Sequence, residues 1–366
     1  MITKEAVLQA LSNVQEPDLG KDLVTLNMVR DIEVNGKEVS FVVELTTPAC
    51  PLKEMIEKAC VNAVRLLVDK EAVVTVHMNA RVNSNRKDNK AVLPGVKNII
   101  AVASGKGGVG KSTVAVNLAL GLAEEGASVG LMDADIYGPS VPIMLGIRDE
   151  RPRMMDDGGK GKIVPIERFG IKTISIGLLI DEKQAVIWRG PMASSAIRQF
   201  VTDVHWGELD YLVIDLPPGT GDVHLTLVQT IPVTGAVIVT TPQSVAAADA
   251  RKAIVMLKQQ QINVPILGIV ENMAYFTPAE LPEHRYYIFG KGGGRQMAEQ
   301  FDLPFLGEIP LVQGIREGGD RGTPAVVNDE PVSKAAFITL AQTVARNIAI
   351  RNANLEPTRI MEINRR

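Results

Sequence analysis

Gly105-Lys106-Gly107-Gly108-Val109-Gly110-Lys111-Ser112 is the stretch on which the reading of this sequence turns. It fits G-x-x-x-x-G-K-S/T, a pattern with a mechanism behind it. Glycines let backbone N–H groups turn inward without side-chain obstruction. Those amides, with the N-terminus of a following helix, make a positive nest for phosphate. An apolar run at residues 98–103 leads into the loop, and residues 111–125 read as an amphipathic helix leaving it. In such a loop Lys111 reaches the outer phosphates of a nucleotide and Ser112 sets its hydroxyl on Mg2+. The candidate nucleotide contacts are Gly105, Lys106, Gly107, Gly108, Val109, Gly110, Lys111, Ser112 and Thr113.

Beyond the loop, short apolar runs at 128–132, 211–214, 236–239 and 266–270 alternate with helical segments. Strands separated by helices predict an α/β fold with a mostly parallel sheet flanked by helices. Carboxylates stand at the ends of two of these runs. Asp133 and Asp135 follow the first, where two acids at i and i+2 can share a metal and an attacking water. Asp133 is the candidate for Mg2+ through water, and Asp135 for orienting the water. Asp215 ends the second run in Tyr211-Leu212-Val213-Ile214-Asp215, the form of a strand that delivers a carboxylate to the metal. Gly219 and Gly221 then allow a loop to approach the outermost phosphate. Asn272 follows the last run. Its amide offers a donor and an acceptor to an adenine edge, and a plain turn asparagine is the alternative. No N-K-x-D guanine signature is present.

The first 80 or so residues predict a small α+β domain (1–80). Ala6, Val7, Ala10, Leu11 and Val14 fall at helical spacing, with Thr3 as N-cap. Two β-rich runs, 28–34 and 38–45, flank Asn35-Gly36, a hairpin signal. Pro51 suits the first turn of a helix whose face carries Ile56, Cys60, Ala63 and Leu67, and 73–76 reads as a closing strand. Residues 81–95 are polar and broken by Pro94-Gly95, which reads as a linker before the larger domain, 96–366.

Composition limits the function classes. A chain of 366 residues with 46% hydrophobic residues is too apolar for a largely disordered protein. Lys+Arg of 39 against Asp+Glu of 42 gives a net charge of −3, no bulk electrostatic case for nucleic acid or an acidic membrane surface. Two cysteines are too few for a secreted disulfide framework. The N-terminal residues lack a signal-peptide pattern, so the expected address is the cytoplasm.

Lys106, a second lysine inside the loop, resembles the signature lysine of deviant Walker A ATPases of the MinD/ParA type. That resemblance implies two subunits face to face, each lysine entering the partner's site to stabilise charge on transferred phosphate. With Lys111 and Asp135 it completes the catalytic candidates. More of the chain is similar to the Mrp/ApbC-type P-loop ATPases, the iron–sulfur cluster carrier family. The strings GKGGVGKST, DADIYGPS, IWRGPM, LDYLVIDLPPGTGD, TTPQ, and ENM followed by IFGKGGG spread over most of residues 97–312. The strings EPDLGKDLVTL and TTPACP resemble the small domain of SufT/PaaD-like assembly factors. The resemblance implies a homodimer, ATP binding with slow hydrolysis, cluster transfer to apoproteins, assembly-factor partners, and Asn272 as an adenine contact.

One departure stands out. Members of that family usually carry C-x-x-C between the ENM and IFG segments, giving four thiolates per dimer for a bridging 4Fe–4S cluster. Residues 274–287 contain no cysteine here, and His284 reads as a surface residue. Cys50, just before Pro51, is the remaining candidate ligand, since a helix N-terminus favours thiolate; a small structural residue is the alternative. Cys60, on an apolar stripe, reads as packing. Three readings follow: an ATP-dependent cluster carrier, an ATPase adaptor that holds no cluster itself, and a positioning switch like MinD or ParA. The third needs a membrane helix or a DNA surface, and the short C-terminus, with Arg365 and Arg366, is poor in apolar residues. The Trp188-Arg189-Gly190-Pro191-Met192 segment matches the family without suggesting a role.

Overall fold

A computed structural model describes residues 2–86, 92–180, 190–278, 280, 281, 283–328, 330–358 and 360. Residues 87–91 of the expected linker, Trp188, Arg189, Ala279, Pro282 and the C-terminal residues 361–366 lie outside them. Two compact units result: Met1–Asn83 with Ala345–Leu355, and Ser84–Val344 with Glu356–Arg366. Ala345–Leu355, expected within the 96–366 domain, belongs to the first unit.

In the first unit, α1 (Lys4–Leu11) begins where Thr3 Oγ1 accepts from the Ala6 N–H, as its N-cap position requires. A short antiparallel pair follows, β1 (Gln15–Glu16) and β2 (Lys21–Asp22). β3 (Val29–Asn35) and β4 (Glu38–Leu45) form the expected hairpin, but its turn is one residue later than the Asn-Gly signal suggests. Asn35 still pairs with Glu38, so Gly36-Lys37 is the two-residue loop, and Gly36 takes the left-handed φ of 65°. α2 (Lys53–Leu67) crosses over to β5 (Val73–Ala80), which lies parallel to β4. The buried face of α2 is Ile56, Cys60 and Val64, a clean i, i+4 stripe. Leu67, expected on that face, is 59% exposed, because Val64 and not Ala63 continues the stripe.

The second unit is built on an eight-stranded sheet. Its elements are β6 (Val96–Ser104), α3 (Lys111–Glu124), β7 (Val129–Asp133), α4 (Val141–Met144), β8 (Arg153–Asp157), β9 (Lys160–Val164), β10 (Ile166–Arg168), β11 (Ile171–Ser175), α5 (Gly190–Thr202), β12 (Leu209–Asp215), α6 (Asp222–Thr230), β13 (Gly235–Thr240), α7 (Ser244–Lys258), β14 (Ile266–Glu271), α8 (Gly293–Phe301), β15 (Phe305–Glu308), α9 (Gln313–Arg321) and the part of α10 (Pro331–Asn354) that precedes Ala345. The strand order is β10-β11-β7-β12-β6-β13-β14-β15. Every neighbouring pair is parallel except β10–β11. β7 and β13 are buried along their whole length, and β12 at every residue but the half-buried Asp210, which is why they read as continuous apolar runs and not as alternation.

α3 departs from its expected amphipathic character. Every residue from Val114 to Leu122 is buried, so the helix is covered all round. β10, β11, β15 and the β8–β9 hairpin were not legible in the sequence; of these β11 matters most, since it ends on Ser175 beside β7. Among the described residues, no helix is long and apolar enough to cross a membrane.

Candidate nucleotide and metal site

The loop between β6 and α3 has the backbone that its glycines predict. Gly108 and Gly110 sit at φ 81° and 79°, in the left-handed region where a Cβ is strained. Gly105 is required for a different reason: a Cβ there would lie 2.0 Å from the Asp249 carbonyl carbon of α7. The first N–H groups of α3 have no partner within their own helix and carry its positive dipole end. Two bonds brace the loop. Ser104 Oγ donates to the Lys106 carbonyl at 3.0 Å, and Asn272 Nδ2 donates to the Val109 carbonyl at 2.8 Å. Asn272 therefore has a role its sequence reading did not anticipate. Its donor end steadies the loop.

Sheet register brings the acids together. Asp215 of β12 pairs with Asp133 of β7, and Ser175 of β11 pairs with Asp133 on the other side. Lys111 Nζ lies 2.5 Å from Asp215 Oδ1, 3.2 Å from Ser112 Oγ and 3.7 Å from Asp135 Oδ2. Asp133 is fully buried, with Oδ2 accepting from Ser175 Oγ at 2.8 Å and Oδ1 from the Asp135 N–H at 3.1 Å. Burial, and then the neighbouring Asp215 charge, push its carboxyl well up. Burial also raises Asp215, opposed by the Lys111 ammonium, and the same two influences act on Asp135.

Asp215 Oδ2 is buried without a hydrogen-bond partner. An orphaned carboxylate oxygen beside the Ser112 hydroxyl is a hard donor set, which fits Mg2+. Asp133, with both oxygens already engaged, backs this site rather than opening onto it.

Two cavities adjoin the loop. One, of about 420 Å3, is lined by Asp135, Gly138, Pro217, Pro218, Gly221 and His224. The other, of about 370 Å3 and mostly apolar, runs from Thr113 and Ser140 past Asn272 to Pro310, Leu311 and Arg316. Two residues here escaped the sequence reading. His224 is buried with neither ring nitrogen hydrogen-bonded, and burial pushes its imidazole down to about 4. Glu271 is buried at the end of β14, where its carboxylate accepts from the Gly292 and Gly294 N–H groups at the start of α8. His224 follows the string LDYLVIDLPPGTGD by two residues, and only its position after the Pro217-Pro218-Gly219 loop could have drawn attention to it. Glu271 could not have been found without the fold.

Lys106 is half-exposed within the loop. In the segment expected to hold cysteines in relatives, Phe276 and Tyr286 exchange backbone hydrogen bonds at 2.8 Å, Arg285 lies over the Tyr275 ring at 4.2 Å, and His284 is exposed.

Cys50 belongs to the first unit. It precedes α2 by three positions and is half-buried. The Leu52 N–H bonds to its sulfur, as a helix start would suggest, but burial outweighs that bond. Burial comes first and the Glu16 and Asp18 charges add to it, so the thiol is pushed up despite Arg346. This corrects the expectation of a thiol lowered by the helix N-terminus. Cys60 is fully buried, its thiol pushed up to about 12.

Residues 95–349 match the family described as NUBPL iron-transfer P-loop NTPase, and residues 4–78 match a family described as iron-sulfur cluster assembly protein. An iron-sulfur cluster carrier protein of Synechocystis sp. is 50% identical over 96% of this chain and 99% of its own. The protein of that name from Escherichia coli K12 is 44% identical over 93% of this chain and 91% of its own. Among solved structures, the nucleotide-binding protein of Archaeoglobus fulgidus in complex with ADP is 41% identical, with a TM-score of 0.58, over 68% of this chain and 96% of that one.

Proposed function

The chain belongs to the NUBPL iron-transfer P-loop NTPase family, and on that premise we propose that it is an Mg2+-dependent, homodimeric ATPase that carries iron–sulfur clusters to apoproteins. The observation that carries the ATPase reading is the Lys111–Asp215 contact of 2.5 Å beside an orphaned Asp215 oxygen, at the mouth of a glycine-built loop. A cation so placed can exchange its carboxylate for the outer phosphates when ATP binds.

In hydrolysis, the oxygen of a water bonds to the γ-phosphorus as the bond from that phosphorus to the β–γ bridging oxygen breaks. The electron pair of that bond leaves on ADP, and the water's proton ends on the released phosphate. The loop amides hold the phosphates, Asp135 accepts a hydrogen bond from the water, and Lys111 offsets charge on the transferred group. Ser112 and Asp215 would hold Mg2+, backed by Asp133, and the ion would offset charge on the outer phosphate oxygens. Asn272 meets the adenine from the apolar cavity. Lys106 supplies its charge to the site of a second copy. Replacing Lys111 by Ala tests this: ATP turnover should fall to background, and unchanged turnover would refute the ATPase reading.

The cluster is cargo. With two cysteines per chain and Cys60 sealed in a core, Cys50 is the one thiol positioned to contribute a ligand, the rest coming from a second copy, an assembly factor or a small thiol. The raised Cys50 thiol favours a second reading, in which the ATPase acts as an adaptor and the cluster stays on other proteins. Anaerobic reconstitution with iron and sulfide separates them. Bound iron that disappears in Cys50→Ala supports the carrier; no bound iron in the parent supports the adaptor.

A further inference from the structure

His224 stands in the first turn of α6, directly after the loop that holds Gly219 and Gly221. Its side chain is in the most costly state for an imidazole. It is only 3% exposed, and neither Nδ1 nor Nε2 has a hydrogen-bond partner. A histidine kept only for packing would find a partner or be better replaced by an apolar residue. The ring instead lines the cavity of about 420 Å3 that also contains Asp135 and the Pro217-Pro218 turn. Burial keeps the ring neutral, so one nitrogen donates and the other accepts. The cavity has room for several waters, and Asp135 and Tyr137 are the other polar side chains that line it.

We propose that His224 is a positioning residue for ATP hydrolysis: one ring nitrogen donates to one water, the other accepts from a second, and this chain of waters orders the attacking water against Asp135. This rests on the ATPase reading above. His224 neither gains nor loses a proton in the net step; it fixes where the nucleophile stands. An imidazole serves here because a neutral ring can continue a chain of waters in both directions, which a lysine or a carboxylate cannot.

The test compares His224→Leu and His224→Gln with the parent and with Lys111→Ala, reading kcat, KM, affinity for a fluorescent ATP analogue, and Tm. His224→Leu should lower kcat by about 10- to 100-fold, the scale of a misplaced reactant. KM and analogue affinity should stay near the parent's, and so should Tm, since leucine fills the space of the buried ring. His224→Gln, which keeps a donor and an acceptor, should recover most of the rate. A His224→Leu protein with the parent's kcat overturns the assignment and leaves the ATPase reading standing. A lowered Tm with both variants equally slow overturns it in favour of packing. A parent no faster than Lys111→Ala overturns the ATPase reading itself, and this inference with it.

Discussion

The carboxyl end of the large sheet and the Cys50 corner of the first unit both bury polar groups, and they do so in opposite ways. At the sheet end, partners come from neighbours in register or from one loop: Ser175, Asp133 and Asp215 share a row, and Lys111 belongs to the loop that faces them. At Cys50, the charges that act on the thiol come from Glu16, Asp18 and Arg346. Arg346 Nε reaches Asp18 Oδ1 at 2.7 Å across most of the chain's length. Chemistry made by backbone amides and strand ends is written locally. Chemistry made by the surroundings of a single side chain is not.

The comparison breaks most severely if Lys111 can be lost without consequence. Lys111→Ala should cut ATP turnover by about 100-fold or more, the scale of removing a preorganised cation or donor. It should also lower Tm, because stranding one member of a buried ion pair costs about 3–5 kcal/mol. In Lys111→Ala/Asp215→Asn the stranded charge is gone, so Tm should recover while turnover stays lost. Recovery of both would mean that the pair is architectural, and thermal melts with steady-state rates decide it.

A smaller effect is expected at Gly110. Its φ of 79° disfavours any side chain, and a Cβ would stand 2.1 Å from Asn272 Nδ2. Gly110→Ala should weaken nucleotide binding by about 10- to 100-fold through displacement of the loop. Asn272→Ala, which leaves the Val109 carbonyl unpartnered, should cost about 1–3 kcal/mol of stability. If the clash with Asn272 carries part of the Gly110→Ala defect, Gly110→Ala/Asn272→Ala will bind nucleotide better than Gly110→Ala alone. Titration with a fluorescent nucleotide measures the two binding effects, and thermal melts measure the loss in Asn272→Ala.

Legibility followed the same division. The strands β6, β7, β12, β13 and β14 were readable because burial on both faces leaves unbroken apolar runs. β11 was not, since Ile171–Ser175 mixes Lys172 and Thr173 into a short strand, and with it went the partner of Asp133. The loop glycines were readable because their φ angles and close contacts admit little else. The brace from Asn272 to the Val109 carbonyl was hidden, since turn asparagines look alike in sequence. Glu271 and His224 were hidden for a stronger reason: what singles them out is the presence or absence of hydrogen-bond partners, which exists only once the chain is folded.

The smallest effect lies at Cys50, where direction matters more than size. With burial dominant, the pH midpoint of its alkylation by iodoacetamide should lie above that of an ordinary free thiol. Removing the Asp18 charge in Asp18→Asn should move the midpoint down, and removing the guanidinium in Arg346→Ala should move it up. The sign for stability follows from the same shift. A thiol raised in the folded state contributes stability below its unfolded value and loses it as pH rises through the folded value. Tm measured upward through that window should therefore fall less steeply in Asp18→Asn than in the parent. Cys60, at about 12, should stay unlabelled until the protein unfolds, which isolates the Cys50 signal. A Cys50 midpoint at or below the free-thiol value would mean that the amides at the start of α2 outweigh burial. Thiolate would then be available near neutral pH, and the carrier reading would gain over the adaptor.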